Sequence, residues 1–501
     1  MVSNDKKTKI MGIIAYIYLL LPFLIFAVGW FGKRYWIPIV PILVFCCYRA
    51  CRDSQALWRP TFDRDTVVKM LFIILIIAVW VYFSGIGRLV FQNADHNCRN
   101  AVYETLVNYD WPVVNLEISE AQAAEGVAAT SLIYYIGFWL PAAVVGKIFG
   151  MEAGYGFQVF WAILGIVLVY YLICARKEKI MLWPLLVLIF FSGMDIVGQY
   201  FRGVDLFTLP NDMHLEWWIE PYQYSSMTTQ LFWVFNQAVP AWLCTMLAYM
   251  QKNNRSMVFI LALCMLPGTF PFVGLLVLVL YWMFTRDYGF TQEGSLKERL
   301  KRFGRAFVRD TFTIQNVLGG GIIGIFSFLY LSANLSGSRF MQESIHGAVY
   351  DNHLLKYIFF ILVEVGAYLI LLYKYNRNSG FYYVLLFSLL VIPPIKVGSA
   401  GDFCMRVSIP ALFMLMLLVM DALERAKKEQ NRCIFVSLIV VLCIGSVTPI
   451  HEIVRTFKYS VERINAQEQV YESTLDSVQL LNSPNFSGDV KDSFFFKYIA
   501  R

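Results

Sequence analysis

Eleven separate stretches of this chain stay apolar for about the length of a membrane-crossing helix, and that repetition limits the fold more than any motif does. They lie near 10–30, 36–50, 67–86, 156–174, 180–198, 230–250, 314–333, 355–373, 381–397, 406–422 and 434–450. About 20 such residues carry a helix across roughly 30 Å of hydrocarbon, and the shorter runs only just reach. In lipid every backbone polar group must be paired internally, so isolated runs of this kind become helices and not open strands. Of 501 residues, 58% are hydrophobic and only 15% charged, too few charges to cover a water-facing surface of this size. The expected fold class is all-α, a polytopic transmembrane helical protein.

Two further stretches are ambiguous, SLIYYIGFWLPAAVVGKIFG at 131–150 and the segment 257–284, and charge decides both. If 131–150 crossed, the ARKEK cluster at 175–179 would fall outside and the acidic segment 200–226 inside. Laid flat in the interface, with Pro141 and Gly146 breaking it, it leaves every basic linker on one side. The segment 257–284 has Lys252 and Arg255 before it and Arg286 after it, so it should enter and leave on the same side. It would do so as two short helices turning at Pro267-Gly268 and Pro271. With these choices the inner linkers hold 25 Lys and Arg and the outer loops 9, the long C-terminal tail left out. Positive residues stay inside, so this asymmetry sets the orientation.

The expectation is about 13 hydrophobic passes including a short-helix hairpin, with interfacial helices in the first long outer loop. The N-terminus is expected in the cytoplasm and the C-terminus outside it. Residues 1–66 read as an N-terminal extra pair of helices, 67–450 as the transmembrane core and 451–501 as an extracytoplasmic tail.

Other classes recede. The net charge of +7 follows the linkers and does not mark a nucleic-acid surface. Ten cysteines form no CxxC pair, and most sit inside apolar runs, as small apolar residues do. There is no Walker loop or HExxH, so nucleotide hydrolysis is not expected, and no cofactor or metal is expected either. The basic amphipathic segment 286–312 reads as an inner surface helix against anionic membrane lipid.

The outer side has its own chemistry. Its loops, 87–155, 199–229, 334–354 and 396–406, carry 14 acidic residues, and His96, His214, His346 and His353 lie there. Asp95 heads the first of these loops, with Arg99 four residues on as a possible ion-pair partner. A carboxylate at the lipid–water boundary can have its reactivity set by partial desolvation, which suits a general base. His96 is the other candidate. Adjacent helical side chains diverge by about 100°, so one of the two faces a reacting centre, and the reading favours Asp95.

The loop 199–229 interleaves Arg202, Asp205, His214 and Glu216 with Trp217, Trp218, Tyr222 and Tyr224. As an interfacial aromatic belt it needs no ligand. Flat rings beside carboxylates and amides also suit sugars, which present apolar CH faces and hydroxyls together. His214 with Glu216 lacks a third ligand for a metal. Asn236 and Gln237 lie near the outer end of a span, where polar groups face a cavity or another helix. In PPIKVGSAGDFCMRVSIPALF, 393–413, Lys396, Asp402 and Arg406 surround small residues. Read as surface anchors they snorkel; read as a site, the two cations clamp a lipid phosphate.

Several of these parts resemble the GT-C superfamily of integral membrane glycosyltransferases, which includes protein O-mannosyltransferases and the aminoarabinose transferase of lipid A. The resemblance rests on Asp95 after a span, on Asp110-Trp111-Pro112, on Tyr134-Tyr135 followed by Lys147-Ile148-Phe149-Gly150, and on Arg176-Lys177-Glu178-Lys179. It covers about 70–200; beyond 230 it is one of layout. The family often has an acidic pair where this chain has Asp95-His96, and no WWDYG-like motif occurs. The resemblance implies a polyprenyl-phosphate-linked sugar as donor and an envelope glycan, lipid or protein as acceptor, in a bacterial plasma membrane. Asp95 or His96 would be catalytic. Arg202, Asp205, His214, Glu216, Gln237, Lys396, Asp402 and Arg406 would bind substrate, with no metal. The alternative from another class is a transporter or lipid flippase, for which the half-length helices at 257–284 speak.

Overall fold

The computed structural model describes residues 7–124, 126–206, 208–210, 212–288, 293, 295–334, 354–397, 401–491 and 493–501. His346, His353 and the small residues Gly398, Ser399 and Ala400 lie outside the described residues.

Helices make nearly all of the fold. The strands are short: Lys7–Thr8 pairs antiparallel with Leu57–Trp58, and Thr130–Leu132 lies between Val114–Asn115 and Ser487–Asp489. Among the described residues eight helices are long and apolar enough to cross a membrane, or nine if the bent pair Leu296–Thr311 and Gln315–Leu331 is one span. The long apolar helices fit a membrane protein. The number falls below thirteen for local reasons. Thr269–Phe284 and Gly380–Val391 are apolar but short, and Ile409–Lys428 ends in Asp421, Glu424, Arg425, Lys427 and Lys428.

The two ends of the helices differ. At one end the basic linkers meet: Gln55 Nε2 donates to Met250 O at 2.7 Å, Arg176 pairs with Asp421 at 2.7 Å, and Arg255 pairs with Asp310 at 3.2 Å. At the other end lie the three-stranded sheet, the bond from Gly32 N to Ile499 O (2.8 Å) and that from Leu475 N to Asn97 O (3.3 Å). We call this the loop end.

Both ambiguous segments return to the end they leave. Helix Leu140–Phe149 has ten residues, about 15 Å. Near its start Trp139 meets Phe235 (5.9 Å between rings). In its last turn Lys147 Nζ donates to Val107 O at 3.0 Å and Tyr109 O at 2.6 Å. All of these partners belong to the loop end. Helices Met257–Leu263 and Thr269–Phe284 form a hairpin whose feet meet where Asn254 Nδ2 donates to Met283 O at 3.1 Å. Its tip packs tightly: a Cβ on Gly137 would stand 3.0 Å from Pro267 N, and one on Gly268 3.2 Å from Gln237 Cβ.

A single apolar core joins the whole length. Helix Met227–Met250 runs through its middle, buried on nearly every side. The terminal segments do not stand apart from residues 67–450. Phe26 of helix Ile10–Trp30 meets Tyr330 at 4.8 Å and stacks on Phe495 at 6.0 Å. The region expected as a tail from 451 begins inside helix Val447–Asn465, which continues the direction of Arg432–Gly445 as one long apolar-to-polar run. Beyond it, Thr105 bonds Ser477 at 2.8 Å, and Gln122 bonds Asn482 O at 3.0 Å.

Candidate active site at the loop end

After helix Arg64–Phe83 the chain turns through Gly85 and Gly87, both with positive φ. At Gly87 a side chain is also excluded by space, since a Cβ would lie 2.4 Å from Val159 Cγ2. Asn93 then fixes the start of helix Asp95–Asn108. Its Oδ1 accepts from Asp95 N at 3.1 Å, and its Nδ2 donates to Phe232 O at 2.9 Å. This double anchor sets where Asp95 points.

Asp95 lines a cavity of about 360 Å³ together with His214, Trp217, Gln223, Trp233, Asp402 and Arg406. Four sequence stretches, distant in the chain, therefore converge: the head of the first outer loop, the aromatic loop, the top of Met227–Met250 and the break before Ile409–Lys428.

His96 does not share that position. It is buried, with Nε2 on Phe232 O at 3.1 Å and Nδ1 on Gln92 Nε2 at 3.1 Å. A carbonyl needs a donor and an amide N–H an acceptor, so the ring is a neutral Nε2–H tautomer. Burial pushes its pKa down to about 3, with the Arg99 charge adding to the effect. The imidazole ties the helix to Phe232 and leaves no nitrogen for the cavity.

Arg99 pairs with Asp95 at 2.8 Å, and only 5% of its side chain is exposed. Its Nε and Nη1 have no protein partner, and neither does Nε of Arg406. Arg406 pairs with Asp402 at 3.1 Å. Partial burial disfavours the charged carboxyl of Asp95. The Arg99 guanidinium outweighs it, with Arg406 helping, and holds Asp95 below the usual carboxylate range. Tyr134 and Tyr135 stand in the same field, close enough to feel Arg406 and Asp402. Burial raises both phenols, which stay neutral donors.

The far wall is a buried charge chain. His214 Nδ1 faces Glu452 Oε1 at 2.9 Å and Nε2 faces Glu216 Oε2 at 3.6 Å. Glu216 also accepts from Gln223 Nε2 (3.0 Å) and Ser226 N (2.9 Å). Glu452 accepts from Trp233 Nε1 (3.1 Å) and Arg455 Nη2 (2.7 Å). Burial alone would lower the His214 pKa, but Glu452 and Glu216 raise it to about 9, so the ring is an imidazolium.

The remaining expected residues lie elsewhere. Arg202 is exposed and donates to Trp217 O at 2.7 Å; exposed Asp205 accepts from Thr208 at 2.7 Å. Neither lines the cavity. Glu216 stands one residue behind its wall. Gln237 is buried beside the hairpin tip, and neither end of its amide has a partner; Asn236 is the same. Lys396 is exposed and outside the lining, so it does not form a clamp with Arg406 around this cavity. The second guanidinium near Asp95 is Arg99.

Sequence reading weighed Arg99 only as a helix-surface partner and missed Glu452 and Arg455 by placing them in a tail. The available signal was helical: HEIVRTFKYSVERIN keeps polar residues on one face past Pro449. Among the described residues no three His, Cys, Asp or Glu side chains converge as a metal ion would need. Compared with protein-family models, with curated proteins and with solved structures, the chain has no match.

Proposed function

We propose that this protein is a membrane glycosyltransferase that moves a sugar from a lipid-phosphate donor to an acceptor hydroxyl at the loop end of the helices. The observation that carries the reading is the cavity that the ionised Asp95 shares with Arg406, with Arg99 paired to Asp95 outside the lining; both guanidinium groups have unpartnered nitrogens. Such an arrangement can serve a nucleophilic hydroxyl and a departing phosphate together.

In this reading the sugar of a polyprenyl phosphate sits in the cavity and its lipid tail stays in the bilayer. Asp95 accepts the proton of the acceptor hydroxyl. The hydroxyl oxygen bonds to the anomeric carbon as the bond from that carbon to the phosphate oxygen breaks. The electron pair leaves with the phosphate, and the anomeric centre inverts. Arg406 faces the charge that grows on the phosphate, where fixed cations help most, and Arg99 holds Asp95 from outside the lining. Gln223, Asp402 and the Trp217 and Trp233 rings hold sugar hydroxyls and CH faces. Of the two carboxyls inside apolar segments, Asp195 accepts from Ser192 (3.0 Å) and Thr448 (2.8 Å), and Glu364 from Trp218 (2.7 Å); the other oxygen of each is buried without a partner.

The topology that goes with this reading has about thirteen passes, counting the hairpin twice. The N-terminus and basic linkers face the cytoplasm, and the loop end faces outward from a bacterial plasma membrane.

The test is reconstitution in vesicles with radiolabelled polyprenyl-phosphate sugars. Consumption of donor with release of lipid phosphate supports transfer. Movement of intact donor across the bilayer, without consumption, would replace this reading with that of a flippase.

A further inference from the structure

A second cavity, of about 510 Å³, opens beside the first and shares Trp233 with it. That volume lies in the roughly 300–1,000 Å³ range of small-molecule sites. Asn93 and Ala94 line the second cavity and Asp95 lines the first, so the start of one helix divides them. We infer that this second cavity is the acceptor subsite and that the acceptor it takes is a saccharide. The inference rests on the transfer reading.

The lining supports a saccharide for three reasons. First, it offers rings beside polar groups. Tyr459, which packs on Phe91 at 4.8 Å, and Trp233 both line it, while Arg463 stands over the Phe91 ring at 4.9 Å. Trp233 has already given its indole N–H to Glu452, so what it offers is ring surface. Second, Arg455 lines the cavity at 6% exposure, stands 5.5 Å from the Trp233 ring, and carries an Nε with no protein partner. A buried N–H left unpaired is costly, so this position suits an oxygen acceptor brought by a ligand. Third, the charges are mixed: Asp212 and Glu462 stand against Arg455 and Arg463. Neutral hydroxyls, which both give and accept, match mixed signs better than an anion does.

The position gives the cavity its role. A saccharide resting on Tyr459 and Trp233 brings a hydroxyl past Ala94 to Asp95, while the donor's phosphate occupies the Arg406 side. Donor and acceptor then approach the carboxylate from opposite walls.

The experiment uses the full-length protein in lipid nanodiscs, immobilised. The probe is a mixture of fluorophore-tagged oligosaccharides released by mild acid from bacterial envelopes. The wild type and Asp95→Asn are expected to retain the same oligosaccharides. Tyr459→Ala and the milder Glu462→Gln should each retain about tenfold less, the loss of one good contact. Each variant is checked for a single sharp peak on gel filtration. Failure of the wild type to retain any oligosaccharide overturns the assignment, as does equal retention by both cavity variants. Binding is read without turnover, so the outcomes separate. Donor consumption without saccharide retention removes the subsite and leaves the transferase; retention without donor consumption does the reverse.

Discussion

Asp95 and Arg99 stand one helical turn apart and meet at 2.8 Å, yet two of the three guanidinium nitrogens of Arg99 are buried without a protein partner. A surface ion pair of this spacing would leave those nitrogens in water, at little energetic consequence. Here the arginine is 5% exposed, so its spare donors are held dry. The arginine keeps the carboxylate charged, and in the transfer reading its spare donors stand behind the carboxylate that takes the proton.

The carboxylate is predicted to be indispensable. Asp95→Asn keeps the shape and the anchor from Asn93 but cannot take a proton. Turnover of lipid-linked sugar should fall by about 10²- to 10⁴-fold, the usual worth of a general base. Donor binding, measured by retention of labelled donor in nanodiscs, should stay within a few fold of wild type. Turnover near wild type would remove Asp95 from the mechanism, and the geometry of His96 offers no replacement.

The acid limb of the pH–rate profile gives a separate check. An ordinary aspartate protonates near 3.9. Arg99, outweighing burial, holds Asp95 below that, so activity should persist on acidification to below the ordinary value. Arg99→Gln removes the cation and leaves the burial, which moves the limb upward towards neutrality. A limb that does not shift in Arg99→Gln would mean that the group being titrated is not Asp95.

Much of this site was legible in the sequence as parts. Asp95, His214, Asp402 and Arg406 are titratable groups beside apolar runs, and each was visible as an interruption of hydrophobic periodicity. Charge counting on the linkers also anticipated the geometry of Leu140–Phe149 and of the 257–284 hairpin, because local charge marks which end a segment leaves from. What sequence could not give was side-chain direction and long-range contact. His96 and Asp95 are neighbours with the same location, and only the carbonyl of Phe232 decides that the imidazole points away. Lys396 and Arg406 look equivalent along the chain, but only the arginine reaches the cavity. Glu452 lies 238 residues from His214, a distance no local pattern bridges.

The hairpin and the short helix Leu140–Phe149 make a labelling prediction. In a cysteine-free background, a cysteine at Glu152 and one at Lys179 flank opposite ends of helix Met151–Lys177. A membrane-impermeant maleimide added to intact cells should modify position 152 and leave 179 unmodified until the cells are opened. Labelling of position 179 from outside would invert the proposed topology.

Arg406 is predicted to govern the donor and not the acceptor. Arg406→Lys replaces a planar fork by a point charge on a flexible stem, which loses two-point contact with a phosphate. The apparent KM for donor should rise several-fold, and Arg406→Ala should raise it further and lower kcat as well. The acceptor KM should hardly move in either. Asp402→Asn frees Arg406 from its 3.1 Å partner, so donor affinity should survive or improve. If both arginine variants use donor normally, Arg406 serves only to anchor the helix at the interface.

The pH dependence of stability should report His214. Its pKa is raised from 6.5 to about 9 because Glu452 and Glu216 outweigh the cost of burying the charge. A folded pKa above the unfolded value means that the stabilisation is complete below about pH 6.5 and is lost as pH rises through about 9. The thermal midpoint of the purified protein should therefore decline across that window. His214→Gln keeps a hydrogen-bonding side chain of similar reach but no charge. It leaves Glu216 buried without its cation, while Glu452 keeps Arg455 at 2.7 Å. Removing one partner of such a buried pair costs about 3 kcal/mol, so the variant should melt earlier at pH 6.5 and lose most of the decline between 6.5 and 9. A wild-type midpoint that stays flat across the window, or a variant that keeps the full decline, would show that the imidazolium does not hold this wall of the cavity together.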